Sequence, residues 1–296
     1  MVPLITNFNT KIMKINKSIL TAVLVFPLML LAQEKNDTIV APKVKLERAA
    51  FESASLIESQ TNVLYTKGTL EMVMNHRFGL VNSGPGANDM IGIWAPANIR
   101  IGVNYSITDF ITVGLGTTKD NRLQDLNYKI GLLRQTRSNK MPVSVSYYGN
   151  VACDARPTSL FLNFSDRFSF YNQLIITRRF NTNFSFQVAP SFSHINYAER
   201  PIKNDIFAVE MGGRVKINPT TSILVDYNLP ITTYEGNRTK PGMALGVEFS
   251  TGSHAFQLFI TNYKSIIPQE NVFLNQNNFL NGKFLIGFNI TRLWHM

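Results

Sequence analysis

The chain has 296 residues, of which 29 are Lys or Arg and 19 are Asp or Glu, giving a formal charge of +10. Aromatics are frequent (21 Phe, 10 Tyr, 2 Trp), while charged residues make up only 16%. A soluble globular surface carries about a quarter charged residues, so this balance argues against one, and a single Cys excludes a disulfide framework.

At the N-terminus, Lys14 and Lys17 precede an apolar run from Ser18 to Ala32, and a polar stretch begins at Gln33. A positive region, a short apolar core and a small residue before polar sequence predict a signal peptide over 1–32. The run contains Pro27 and is too short for a membrane helix, which needs about 20 residues. Met13 is an alternative start. Removing 1–32 takes away Lys11, Lys14 and Lys17 and no acid, leaving 26 basic residues against 19 acidic. In an exported protein such an excess faces lipopolysaccharide phosphates or a lumen rather than nucleic acid. Residues 33–64, with Pro42, Lys43, Lys45, Glu47 and Arg48, read as a periplasmic leader, and Phe51 to Gln60 as a piece that packs under or into the mouth of the barrel that the remaining chain forms. Cys153 falls in a predicted loop as a bystander.

From Tyr65 to the C-terminus the chain alternates apolar and polar residues, the signature of strands. Ile99, Ile101, Val103, Tyr105 and Ile107 interleave with Arg100, Gly102, Asn104 and Ser106; Phe284, Ile286, Phe288 and Ile290 interleave with Leu285, Gly287, Asn289 and Thr291. Twelve such runs are predicted, at 66–78, 97–107, 110–118, 125–135, 141–152, 167–180, 183–195, 205–217, 220–229, 241–251, 254–263 and 282–293. Each has the length that a tilted strand needs to cross a bilayer, about 9–11 residues. The even-numbered links are tight, as at Thr108-Asp109, Asn181-Thr182, Asn218-Pro219 and Gly252-Ser253, with 136–140 slightly longer. The odd-numbered links at 79–96, 153–166, 196–204, 230–240 and 264–281 are long, and 119–124 is the shortest of that set. Short turns at one end and long loops at the other describe a single up-and-down antiparallel transmembrane β-barrel over 65–296, with an even strand count and both termini in the periplasm. A soluble β-sandwich also alternates, but it has no reason to sort its turns by length.

The chain resembles an uncharacterised family of outer-membrane β-barrels of Gram-negative bacteria, defined as a domain of unknown function. The residues that carry the resemblance include Phe51-Glu52-Ser53, Lys67-Gly68-Thr69-Leu70 leading into His76-Arg77-Phe78-Gly79, and Arg100-Ile101-Gly102 with Tyr105 and Asp109. They continue through Leu132-Leu133-Arg134-Gln135, Met141-Pro142-Val143-Ser144-Val145, Gly212-Gly213-Arg214-Val215-Lys216, Thr251-Gly252-Ser253-His254-Ala255-Phe256-Gln257-Leu258 and Gly287-Phe288-Asn289-Ile290-Thr291-Arg292. The resemblance implies an outer-membrane barrel and no activity. The ending Leu293-Trp294-His295-Met296 departs from a terminal aromatic.

Alternation assigns Glu71, Arg77, Arg100, Lys129, Arg179, Glu210, Arg214, Lys216, Asp226, Glu248, Gln257 and Asn289 to a lumen, with Asn75, Asn104, Gln135, Gln173 and Gln187. Arg179, Arg214, Lys216 and Glu248 come at the ends of downward strands and Gln257 at the start of an upward one. Together they predict a basic constriction softened by one carboxylate, suited to small anionic solutes. A closed, salt-bridged interior serving a structural or interaction role in an envelope complex is the alternative, with Phe161, Phe164, Phe273 and Phe279 in the long loops to dock a partner or fold back as a plug. A lipid hydrolase is the third reading. It needs a nucleophile beside a base, and neither His76 nor His194 has a serine on its own face of the strand. No metal, cofactor or catalytic motif stands out, so no enzyme is predicted. The expected partners are outer-membrane lipid and lipopolysaccharide, periplasmic chaperones and the barrel-assembly machinery.

Overall fold

The computed structural model describes residues 44–82, 89–198, 203–232 and 239–296. The chain divides into two units, Met1–Val44 and Lys45–Met296. The first, with the predicted signal peptide, lies outside the described residues except for Val44; the second holds the strands.

Twelve strands run in chain order: β1 Thr69–Leu80, β2 Asn98–Thr108, β3 Ile111–Thr118, β4 Leu123–Leu133, β5 Ser144–Asp154, β6 Phe168–Arg179, β7 Phe184–Ile195, β8 Asp205–Asn218, β9 Thr221–Pro230, β10 Gly242–Ser250, β11 His254–Thr261 and β12 Leu285–His295. Each pairs antiparallel with its sequence neighbours, and β12 pairs with β1 from Leu285↔Leu80 to His295↔Thr69, which closes the ring. Among the described residues, closure leaves no edge of the barrel sheet unpaired, the condition for a sheet to stand in hydrocarbon.

The period-2 pattern explains which side of the ring is which. Ile101, Val103, Leu115, Leu126, Phe207, Val225, Leu245 and Leu258 are exposed on the outside, whereas Glu71, Arg77, Gln173, Gln187, Arg214 and Asn289 are buried inside. This reverses a soluble protein's arrangement and suits lipid outside with a polar interior. Links after even-numbered strands are short at 109–110, 180–183, 219–220 and 251–253 and longer at 134–143, and they define a turn end. Links after odd-numbered strands define a loop end, where 262–284 contains the helix α1 (Pro268–Leu274).

Some boundaries differ from the sequence reading. The strand predicted at 125–135 is β4, Leu123–Leu133, and that at 141–152 is β5, Ser144–Asp154. Cys153 therefore lies in a strand rather than in a loop, paired with Gln124 and Phe168. The pairing carries two residues further at the loop end because Leu123 and Asp154 still match in register. The link between β4 and β5 is correspondingly longer than predicted. Its Thr136 is bridged by Leu46, and Arg137 N donates to Lys45 O of the same segment at 3.0 Å.

Candidate functional site: a barrel filled from both ends

The interior is occupied by the chain itself. From the turn end, residues 45–64 enter the ring and fold into a small hairpin pairing Ser55 with Gln60 and Leu56 with Ser59. Ala50, Phe51, Leu56, Ile57 and Val63 bury against Leu224, Ala244 and Phe259 of the wall. Gly212 is needed here, since a Cβ at that position would collide with the Leu56 side chain. The turn places Ile57 at φ 41, a backbone region costly for a β-branched residue. Two hooks from the wall hold that geometry. Asn289 Nδ2 donates to Ile57 O at 2.8 Å, and Asp226 accepts from Glu58 N at 2.9 Å, Ser59 N at 2.8 Å and Ser59 Oγ at 2.6 Å.

Other inward residues continue the pattern. Lys129 Nζ donates to Ala54 O at 2.8 Å, Gln257 Nε2 to Ser55 O at 3.0 Å, and Gln187 Nε2 to Gln60 O at 2.9 Å. Glu248 accepts from Ser53 Oγ at 2.7 Å and from Gln257 Nε2 at 2.9 Å. The wall thus supplies polar side chains to the backbone of a segment whose own short hairpin and the Thr61 N to Ala54 O bond of 2.9 Å satisfy only part of its amide groups.

Charge follows the same logic. Arg77, fully buried, holds Glu58 through two bonds of 3.0 Å and lies over the Phe259 ring at 4.5 Å. Arg100 pairs with Asp125 across two strands at 2.6 Å. Room for that pair comes from Gly116, where a Cβ would strike both the guanidinium and the carboxylate. Glu71 accepts from Asn104 Nδ2 at 2.7 Å and Tyr65 OH at 3.2 Å. Glu210 accepts from the Tyr171 hydroxyl at 2.7 Å, from Asn228 Nδ2 at 2.8 Å and from Gln173. A buried ion is costly unless paired or hydrogen-bonded, and each of these meets that requirement.

At the turn end, Arg179, Arg214, Lys216 and Glu248 lie near one another in strand order, but the expected basic constriction is covered. Arg214 Nη1 and Lys216 Nζ both donate to Glu52 Oε1, at 2.8 and 2.9 Å, and Arg179 lies 3.6 Å from Glu47. Two carboxylates of the entering segment therefore join Glu248 against the cations, where the sequence reading placed Glu248 alone. Burial alone would raise the Glu52 carboxyl; the Lys216 hydrogen bond and the two cationic charges outweigh it and hold it below its ordinary 4.5.

The loop end is filled as well. Val272 and Phe273 of α1 bury against Tyr148, Tyr171, Ile175, Ala189, Ile206 and Ala208. Gln269 Nε2 donates to Asn150 Oδ1 at 2.8 Å, and Glu270 accepts from Asn121 Nδ2 at 2.6 Å. Burial pushes the Glu270 carboxyl above 4.5, with the Asn121 and Ser265 hydrogen bonds offsetting part of the effect. Between the two inserts a cavity of about 50 Å³ remains, lined in part by Glu58, Arg77, Arg100, Asn104, Tyr148 and Ile267. That space takes a few water molecules and no larger solute.

The outward histidines are engaged in ordinary contacts. His76 stacks on Phe288 with ring centroids 4.9 Å apart. His194 bonds Asp205 at 2.7 Å and Asn196 at 3.0 Å, while Ser191 and Ser193 are buried on the opposite face. His254 contacts its neighbour Ser253 Oγ at 3.2 Å at an exposed strand start, and His295 contacts Thr69 Oγ1 at 3.0 Å.

Alternation alone did not single out Asp125, although it shares the parity of Lys129. Tyr148 and Tyr171 point inward with the polar set for a reason visible only in three dimensions: they pack on α1. Glu47, Glu52 and Glu58 had no periodic signal because their segment is irregular.

The family model for the membrane-bound beta barrel domain (DUF5777) matches residues 51–294. The chain belongs to this family of membrane-bound β-barrels. The matched span begins at Phe51, so residues 51–64 of the inserted segment lie within the family domain along with the wall. No curated protein matches the sequence. Among solved structures, the NanC porin is similar at 8% identity over 77% of this chain and 99% of its own, with a TM-score of 0.48. An outer-membrane channel from Pseudomonas putida F1 is similar at 10% identity, covering 78% and 97%, with a TM-score of 0.44. Outer membrane phospholipase A from Escherichia coli is similar at 11% identity, covering 88% and 94%, with a TM-score of 0.41. These neighbours include channels and an enzyme, and no activity is transferred from them to this membrane-bound barrel.

Proposed function

We propose that this protein is an outer-membrane barrel, closed at rest, that becomes a narrow pore for small anionic solutes when its N-terminal segment withdraws. The carrying observation is how residues 48–64 are held: by ion pairs and side-chain hydrogen bonds from Arg77, Asp226, Arg214, Gln257 and Asn289, which can open without breaking the backbone pairing of the wall strands. Without that segment, Arg179, Arg214 and Lys216 keep only Glu248 as a counter-charge at the turn end, which favours anions. The length-sorted links support a turn end that faces the periplasm.

Planar-bilayer recording tests this. The full chain is expected to show rare openings, and a variant lacking 45–64, shown folded by heat-shifted gel mobility, steady conductance with a permeability ratio favouring chloride over potassium. A folded deletion variant that passes no current would leave the second reading: a permanently sealed barrel whose exposed Trp94, Leu162, Phe164 and Leu280 at the loop end meet an envelope partner.

A further inference from the structure

The turn-end mouth has more hydrogen-bond donors than its present occupant can use. Arg214 is 1% exposed, and its Nη1 shares one Glu52 oxygen with Lys216. Its Nε, also buried, has no partner. Ser185 faces both Arg214 and Arg179 in register, is 0% exposed, and its Oγ is unpartnered too. Thr177, one inward position deeper on the strand of Arg179, adds a second buried, unpartnered hydroxyl. Glu52 itself is 37% exposed and lines an open cavity of about 540 Å³, together with Arg48, Arg179, Asn183 and Lys216. The carboxylates facing this cluster are Glu52, Glu47 and, held by Ser53 and Gln257, Glu248.

Arg214 and Lys216 meeting on one oxygen, Arg179 on the same mouth and buried hydroxyls at the neighbouring inward strand positions offer the donor set of a tetrahedral or planar oxyanion. A single carboxylate oxygen bridging two cations fills such a place only in part.

We propose that this mouth is a binding site for an oxyanion of the phosphate class, and that Glu52 is its built-in occupant, which the ligand displaces. A phosphate has the additional acceptor oxygens to meet Ser185 Oγ and Arg214 Nε as well as Lys216. Its arrival removes one of the ion pairs that tie residues 45–64 to the wall at this end, the Glu47–Arg179 pair being another, so binding and withdrawal of the segment are coupled. The inference rests on the closed-barrel reading for the position of the segment, but not on conduction. The cavity opens to the outside, so the phosphate group can come free in solution or on a lipid headgroup.

The test uses the full-length chain refolded in a zwitterionic detergent without phosphate, at constant ionic strength set with chloride. Inorganic phosphate binding is followed by calorimetry for wild type, Glu52→Gln and Glu52→Gln with Lys216→Gln. Removing the competing carboxylate is expected to tighten binding by about tenfold, and removing Lys216 as well to abolish the gain. In an Ala50→Cys, Cys153→Ser background, where the reporter thiol is buried while the segment is docked, phosphate is expected to speed maleimide labelling. Short-chain phosphatidylglycerol replaces phosphate in a parallel arm, with phosphatidylcholine as its control. A response to inorganic phosphate assigns a free anion and a response to phosphatidylglycerol alone a headgroup; both support the site. Equal affinity in wild type and Glu52→Gln, or no response above the chloride and phosphatidylcholine controls in folded protein, overturns it. Conductance of the deletion variant is unaffected by either result, so the two readings fail separately.

Discussion

Glu58→Ala is the sharpest probe of the inserted segment, because it leaves the wall intact and strips one buried cation of its partner. Arg77 would lose the bonds from Nε and Nη2, each 3.0 Å in the native chain. It would keep Nη1 bonds to His76 O at 2.9 Å and Asn289 Oδ1 at 3.0 Å, and the Phe259 face. Breaking one side of a buried pair costs about 3–5 kcal/mol, and the surviving contacts place this case near the lower end. About 3 kcal/mol taken from docking raises the undocked population roughly a hundredfold. The assay is the maleimide labelling rate of Ser55→Cys in a Cys153→Ser background, compared with and without Glu58→Ala. A hundredfold rise is expected, with Glu58→Gln intermediate because it keeps one acceptor. If Glu58→Ala folds and labels at the native rate, Arg77 does not anchor the segment and the gating scheme loses its main support.

At the loop end, Phe273→Ala removes a buried aromatic at a cost of about 3 kcal/mol to docking of 262–284; trypsin should then cut faster at Lys264 or Lys283 while the barrel keeps its gel mobility. The two ends should answer pH in opposite senses. Glu270, raised by burial, is best tolerated uncharged, so docking of α1 is strongest below 4.5 and weakens as pH climbs from there through the raised value. Glu52, lowered despite its burial, contributes stability above 4.5 that is lost as pH falls through the lowered value. Protease accessibility of 262–284 and labelling of residues 45–64, followed across pH, should move oppositely, and Glu270→Gln or Glu52→Gln should flatten the matching curve. Gly116→Val forces a side chain into the Arg100–Asp125 pair and should lower the urea midpoint by the equivalent of about 1–3 kcal/mol; an unchanged midpoint would show that the pair has slack.

The wall was readable from one dimension because lipid and lumen impose a strict two-residue period. Ile101 and Arg100, or Phe288 and Asn289, cannot exchange sides without reversing a whole strand. Turn lengths then fixed the up-and-down order. The contents of the barrel were harder to read. Residues 45–64 carry no period, since their backbone is satisfied one bond at a time by side chains such as Asp226 and Asn289, whose choice of partner depends on folding across more than 160 positions. The sequence predicts that Phe51 to Gln60 packs under or into the barrel mouth, yet nothing local says that Glu52 meets Arg214 and Lys216. The helix α1 spans only seven residues, and its inward Gln269 and Asn271 look like loop polarity until Asn150 and the barrel wall surround them.

The seam between β1 and β12 joins the first strand to the last, and the inserted segment lies just upstream of that first strand. Asn289, which grips Ile57 O, arrives with the final strand. Synthesis from the N-terminus therefore delivers the stopper before the vessel that it stops, and the ring is drawn shut only when the last dozen residues arrive. A nascent chain stalled short of that point would have neither a sealed wall nor a seated core. Whatever keeps residues 45–64 from engaging other strands in that interval decides whether assembly ends in one product.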